Sequence, residues 1–400
     1  MINATIEQLQ LLNLLGHSLF GAPLEIIPEV DWNGVAKESL SQAVLTIAFN
    51  NYRNLPLSDE LAAKMKRNLM RHVLNNVECI KRHGYLHELM QKNGINYCVL
   101  KGATSAFYYP DMMLRPMGDV DFYVAPDQFD RALQIFLDEH FTPSEDNHGF
   151  HIGLDGDKGN FELHFKPVGY REGELGELYM RAWENIIEDS RLCNTEIASF
   201  RAPSAFHHGF ILLTHLYGHL ISSGVGLRHL LDWAVFANSL SDVQFKETFE
   251  TKFKEFGVWK LAQLLALAAV RNMGMPYKSW MGDDAETADE LLMDILSGGN
   301  FGRKDKQRGY ESALISRDIG NMENNRLNNL FKWSLRVVDS HWSVAKKLPF
   351  LYPFGWIIFG TRFFVRWLFG KRHLDVVSAY KKGKDRGDLY ERMSVFTPEK

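Results

Sequence analysis

Between residues 94 and 166 the apolar residues give up the helical spacing of the flanking sequence and alternate instead, with turn residues between the runs. Successive side chains of a strand point to opposite faces, so alternation marks strands that bury one side. Tyr97 to Leu100, Val120 to Val124, Phe150 to Leu154 and Asn160 to Phe165 are the candidate strands, and Asp155-Gly156-Asp157-Lys158-Gly159 is the turn joining the last two. Gln128 to His140, with Phe129, Leu133, Phe136 and Leu137 on one face, reads as an intervening helix. A short run of strands set between helical stretches confines the chain to an α+β fold.

The flanks are helical. Ile6 to Leu15 has apolar residues at helical spacing, and Ser58-Asp59-Glu60 gives an acidic start to a run reaching Leu86. Helical patterns return at Phe206 to Ser222, Leu227 to Leu240 and Lys254 to Met273, the last ended by Gly274 and Pro276. Residues 282–325 are polar, with Gly298-Gly299-Asn300 and Arg303-Lys304-Asp305-Lys306, and are expected to form a loop or lid. Leu348 to Phe369 is rich in aromatic and aliphatic residues, but Pro349, Pro353, Arg362 and Arg366 interrupt it as a membrane span. Packing on the protein body is the favoured reading there. A membrane-surface contact through 348–372, with Lys371 and Arg372 beyond the apolar run, is its rival. The expected division is a helical region over 1–90, a sheet-bearing core over 91–200, a second helical region over 201–335 and an aromatic, basic segment over 336–400.

A net charge of −4 supplies no global basic field and argues against long nucleic acid as a partner. Cys79, Cys98 and Cys193 are odd in number and widely spaced, which fits neither a zinc site nor a disulfide framework and suits a reducing, cytoplasmic setting. Glu7 ahead of the first apolar run is unlike a signal peptide.

The chemistry concentrates at Asp119-Val120-Asp121, 18 residues after Lys101-Gly102. Two carboxylates on one side of a strand repel, and a divalent cation with a preference for oxygen relieves the repulsion. Glu162, on a later strand, would complete a three-carboxylate site. The other such pair, Asp155-Gly156-Asp157, is a turn, and Lys166 stands where a calcium loop needs a bidentate Glu. Gly102 lets the backbone approach a phosphate, with Thr104 or Ser105 as a hydroxyl donor and Lys101 either as a point charge on phosphate or as an ordinary exposed or salt-bridged lysine. Arg115 either steers phosphate or pairs with a carboxylate. His164 shares a strand face with Glu162 and either orients a carboxylate, takes a proton or is structural. His208, His215 and His219 share one helix face, where core packing is the expected role and a cleft wall the alternative. Arg228 and Asp232 stand at i and i+4, the spacing of a helix ion pair, with Asp232 a weaker candidate for a base.

This combination resembles the nucleotidyltransferase fold of the DNA polymerase β superfamily. More closely, Leu-Lys-Gly-Ala, Tyr-Pro, Arg-Pro-Met-Gly-Asp-Val-Asp and Glu-Leu-His-Phe, within about 95–170, resemble the family of uncharacterised bacterial nucleotidyltransferases (NTP_transf_5-like). The resemblance implies a small mixed sheet as the nucleotidyltransferase core, metal ligation by Asp119, Asp121 and Glu162, Mg²⁺ or Mn²⁺ as cofactor and an NTP as substrate. It also implies that the helical region over 201–335 lies on the acceptor side, the acceptor being a small molecule, a sugar or a protein. The superfamily's turn is usually Gly-Gly-Ser or Gly-Gly-Thr, whereas this chain has Lys101-Gly102-Ala103-Thr104. That departure leaves a catalytically degenerate nucleotide-binding protein as an alternative, beside a membrane-surface assembly protein.

Overall fold

The computed structural model describes residues 2–144, 150–168, 173–305, 307–312, 326–342, 344–368 and 376–398. It begins with helices α1 (Ile6–Phe20), α2 (Trp32–Ser41), α3 (Leu45–Ala48) and α4 (Asp59–Lys92). Thr5 starts α1 through a capping box, exchanging side-chain and backbone hydrogen bonds with Gln8. The Ser58 hydroxyl accepts from the Leu61 N–H and, with Asp59 and Glu60 in the first turn, starts the 34-residue α4.

The sheet region follows: β1 (Tyr97–Val99), α5 (Ala103–Ala106), β2 (Val120–Val124), α6 (Phe129–Asp138), β3 (Thr142–Pro143), β4 (His151–Gly156), β5 (Gly159–His164), α7 (Glu174–Ala182), β6 (Arg191–Asn194) and β7 (Ser199–Ala202). The first five strands form one mixed sheet in the order β1-β2-β5-β4-β3, and β6 and β7 form a separate antiparallel ribbon. Within the mixed sheet β2 and β5 run parallel, while the other neighbours are antiparallel. The α+β class and the four expected strands are present, with bounds shifted by one or two residues.

Beyond the sheet come α8 (Ala205–Leu220), α9 (Leu227–Asn238), α10 (Asp242–Phe245), α11 (Thr251–Glu255), α12 (Trp259–Met273), α13 (Ala285–Gly298), α14 (Arg308–Glu311), α15 (Arg326–His341), α16 (Val344–Lys347), α17 (Tyr352–Leu368) and α18 (Val376–Met393). The polar segment expected to be a loop over 282–325 instead contains α13. Asp284 caps that helix, and Leu291, Leu292, Ile295 and Leu296 bury one face. Glu286, Asp289 and Glu290 lie off that face, while Asp294 is buried, so overall polarity hid an amphipathic period. Residues 313–325 lie outside the described residues.

Alternation along β2 sets the site. Val120, Phe122 and Val124 point into an apolar cluster with Leu86 and Met90 of α4 and Phe136 of α6. Asp121 and Tyr123 therefore point the other way, and Tyr123 joins the larger cluster built mainly by helices, which also holds Leu11, Trp233, Leu265, Leu292 and Phe396. One sheet face is closed by apolar packing, and the other presents its carboxylates to the helices that follow.

Candidate active site

Asp121 and Glu162 are direct partners in the parallel β2–β5 register, so their side chains leave the same face side by side. Asp119 stands exposed one residue before β2 begins, Asp121 is buried and Glu162 is half-buried. Lys101 Nζ lies 2.9 Å from Asp121 Oδ1. His164 Nε2 lies 3.2 Å from the same oxygen and 3.5 Å from Glu162 Oε2, and His151 Nε2 approaches Glu162 Oε2 at 3.9 Å. Burial opposes a charge on Asp121, yet the Lys101 ammonium and the His164 hydrogen bond outweigh it and hold the carboxyl well below the usual carboxylate range. Neighbouring groups partly shield Asp119 from water and push its carboxyl up, and the Asp121 charge adds to the rise. Burial also raises Glu162, against a His164 hydrogen bond and with help from the Asp121 charge. The Asp121 charge thus acts on both Asp119 and Glu162, each of them reluctant to ionise, which is the electrostatic situation a divalent cation relieves.

The donor set fits a cation. Asp119, Asp121 and Glu162 offer oxygens, and His151, Glu162 and His164 each offer a ligand atom within 4.8 Å of the others. Oxygen donors suit Mg²⁺ or Mn²⁺, and imidazole nitrogens widen the choice among transition metals. His151 was not singled out by sequence. It reaches the site because β4 pairs antiparallel with β5 and sets His151 opposite His164.

The glycine turn lies beside this cluster. Gly102 has φ 69° and ψ −115°, and a Cβ there would stand 3.3 Å from His83 Nε2. His83, on α4, is fully buried, and burial lowers its pKa to about 4, so the turn rests on a neutral imidazole. Thr104 turns its hydroxyl back to the Val99 carbonyl at 3.3 Å, whereas Ser105 lines the cavity with no hydrogen-bond partner for its Oγ. Of the two hydroxyls, Ser105 is the one on the cavity wall.

Arg115 is committed elsewhere. Its Nε and Nη2 each donate to Asp232 at 2.7 Å, and its Nη1 donates to the carbonyls of Gly102 at 3.2 Å and Pro116 at 3.0 Å. The Tyr109 hydroxyl also donates to Asp232, at 2.8 Å. Arg115 therefore pairs with a carboxylate of α9, not with Asp119 or Asp121, and ties the glycine turn to the helical region. The i, i+4 partner expected for Arg228 is taken, and among the described residues no carboxylate lies within ion-pair distance of Arg228.

A cavity of about 530 Å³ runs from the carboxylates to the helices. His215 and His219 of α8, Arg228 and His229 of α9, and Phe301 form its far wall. His219 Nε2 is 3.1 Å from His215 Nε2, and His215 Nε2 is 3.5 Å from Lys101 Nζ. His208 lies in the core between Tyr108 and Phe236, the packing role expected for this face, whereas His215 and His219 take the alternative on the cavity wall. Phe301 has a positive φ of 55° and sets its ring edge-on to His219 and His229.

Carboxylates on the sheet and the Arg228 guanidinium on the helical wall of one cavity equip a protein to handle a charged substrate. The sequence model of the family described as uncharacterised nucleotidyltransferase matches residues 28–274, and the chain belongs to that family. The matched span contains the whole mixed sheet, the glycine turn and helices α8 and α9. No curated protein matches the chain.

Proposed function

We propose that this protein transfers a nucleoside monophosphate from an NTP to a small-molecule, sugar or protein acceptor, and that Asp119, Asp121 and Glu162 hold the divalent cation the reaction uses. The acceptor oxygen bonds to the α-phosphorus, the bond from that phosphorus to the β-phosphate oxygen breaks, pyrophosphate leaves, and the acceptor's proton passes to a base. The register pairing of Asp121 with Glu162, beside Asp119 and across from Lys101 and Gly102, carries this reading. A bound Mg²⁺ or Mn²⁺ would neutralise charge on the phosphates. Lys101 and the turn at Gly102 face the triphosphate, with Ser105 as the hydroxyl donor, and Arg115 acts through the turn by holding the Gly102 carbonyl. Phosphoryl transfer depends mainly on such positioning and charge stabilisation. Residues 91–200 form the nucleotidyltransferase core in this proposal, 201–335 supply the acceptor wall, and the protein works in the cytoplasm.

The test is pyrophosphate release from each of the four NTPs with Mg²⁺ or Mn²⁺ and a cell extract as acceptor source. Asp119→Asn and Asp121→Asn should each lower the rate by a hundredfold or more, as loss of about 3 kcal/mol of transition-state stabilisation would. Equal release by wild type and both variants, with every NTP and both metals, would refute the proposal.

A second reading concerns 348–372. Phe350, Phe354, Ile357 and Ile358 are exposed on the outer side of α17 and the turn before it. We propose peripheral membrane contact through this face. The end of the segment, Phe369 to Arg372, lies outside the described residues.

A further inference from the structure

We infer that Arg228, with His215 and His229, forms a phosphate-binding subsite on the helical wall of the cavity, distinct from the turn at Gly102. Among the described residues lining the cavity, Lys101 pairs with Asp121 and Arg115 with Asp232. Arg228 is the remaining guanidinium or ammonium of that lining, and it has no carboxylate partner. Its Nε is buried without a hydrogen bond. Its natural helix partner, Asp232, is engaged instead by Arg115 and Tyr109. A guanidinium withdrawn from water with no carboxylate in direct contact, only the more distant charges of Asp232 and Asp121, is costly, and an anionic ligand reduces that cost.

The surroundings suit a phosphate. The first two N–H groups of α9 are occupied by Gln42, Leu227 N–H donating to its Oε1 at 3.1 Å and Arg228 N–H to its carbonyl at 3.4 Å. The positive charge offered at this end of the helix is therefore the Arg228 side chain. His229 is buried with neither ring nitrogen hydrogen-bonded, so one can donate and the other accept. Burial holds both His215 and His229 well below the ordinary histidine pKa, which keeps them neutral until an anion arrives. Arg presents a planar fork matched to two phosphate oxygens. The phosphate has two sources under the proposed function on which the inference builds: the far end of the NTP, or a phosphorylated acceptor.

Calorimetric titration separates them. Wild type, Arg228→Gln and Arg228→Lys are titrated with each NTP and the corresponding NMP, with Mg²⁺ present. Inorganic phosphate is then titrated into protein saturated with a non-hydrolysable NTP analogue. A tenfold or greater loss of NTP affinity in Arg228→Gln, with NMP affinity unchanged, assigns the site to the nucleotide's terminal phosphates. Unchanged NTP affinity with loss of phosphate binding to the nucleotide-loaded protein assigns it to the acceptor. No change in either titration overturns the inference while leaving the nucleotide reading, monitored through Asp121→Asn, in place. Phosphate binding that depends on Arg228 in a protein that binds no NTP supports the subsite and sinks the nucleotide reading. The melting temperature gives an independent check. Without ligand, Arg228→Gln should melt slightly higher than wild type because an unpaired charge is gone, whereas a drop would reveal a structural partner and overturn the inference.

Discussion

At the scale of single residues, the site depends on side chains that are already spoken for. Gly102 is the clearest case. Its φ of 69° with ψ −115° is a backbone state that side chains rarely adopt, and His83 leaves little room for a Cβ. Gly102→Ala should lower stability by about 1–3 kcal/mol in urea denaturation and weaken nucleotide binding as the turn moves. Gly118→Ala, with nothing within 4 Å of the added Cβ and no positive φ, is the neutral control. His208 offers a pH test. Both its ring nitrogens lack partners, and burial lowers its pKa from 6.5 to about 3. Between those values the unfolded chain binds a proton that the folded chain refuses, so the stability is fully present above pH 6.5 and is lost as pH falls through that window. His208→Phe removes the linkage. Its stability relative to wild type should rise by about 2 kcal/mol between pH 8 and pH 5, measured by chemical denaturation. The sequence showed the carboxylates as candidates on strands, but the parallel β2–β5 register that sets Asp121 beside Glu162 comes from the fold. Nor could the sequence show the pairing of Arg115 with Asp232. The i, i+4 rule sees neighbours on one helix only, and the true partner comes from a loop 117 residues away. Phe301 was illegible for a related reason, since its position follows from a loop conformation and not from any period.

At the scale of elements, the helical hairpin of α15 and α17 differs from the rest. The two helices pack closely where Gly355 meets Val338, and a Cβ at Gly355 would stand 2.6 Å from a Val338 methyl. Outward from this contact, Phe331, Phe350, Phe354 and Ile357 are more than half exposed, Ile357 at 67%. Asp339 is the single acidic residue between Arg326 and Arg372, among many lysines and arginines. No helix of the described residues is long and apolar enough to cross a membrane. Exposed aromatics beside uncompensated basic charge suit the boundary of an anionic bilayer. Vesicles containing anionic lipid should sediment the protein, neutral vesicles much less. Replacing Phe350, Phe354 and Ile357 together with Ser should cut the bound fraction at least tenfold, since each buried side chain is worth roughly 1.5–3 kcal/mol. Equal sedimentation by the triple variant would exclude this face. Point substitutions are needed because deletion of residues 348–400 would also remove α18. Packing on the protein body was the simpler expectation for this segment; aromatic composition alone does not say whether a helix meets the core or a neighbouring helix.

At the scale of the whole molecule, α18 is a closing element. Arg386 donates to Glu311 at 3.0 Å and to the Leu220 carbonyl at 2.8 Å, and the Tyr390 hydroxyl donates to Asp294 at 2.6 Å. Arg308 completes the network on Asp294. Removing one side of such a buried ionic cluster strands the other charges. A chain ending at residue 375 should therefore lose several kcal/mol of stability and bind a hydrophobic dye, and an unchanged melting transition would show that α18 is dispensable. The C-terminal segment continues inward from there. The Phe396 N–H donates to the Gly257 carbonyl at 2.7 Å, and its ring packs on Tyr179 and Tyr217 in the same apolar cluster that holds Leu11. A core that unites Leu11 with Phe396 cannot finish forming before α18 and the residues after it have been made. The helices that line the cavity must wait, part-folded and with apolar faces uncovered, until synthesis reaches Phe396, and during that interval the nascent protein is most dependent on chaperones and most open to proteolysis.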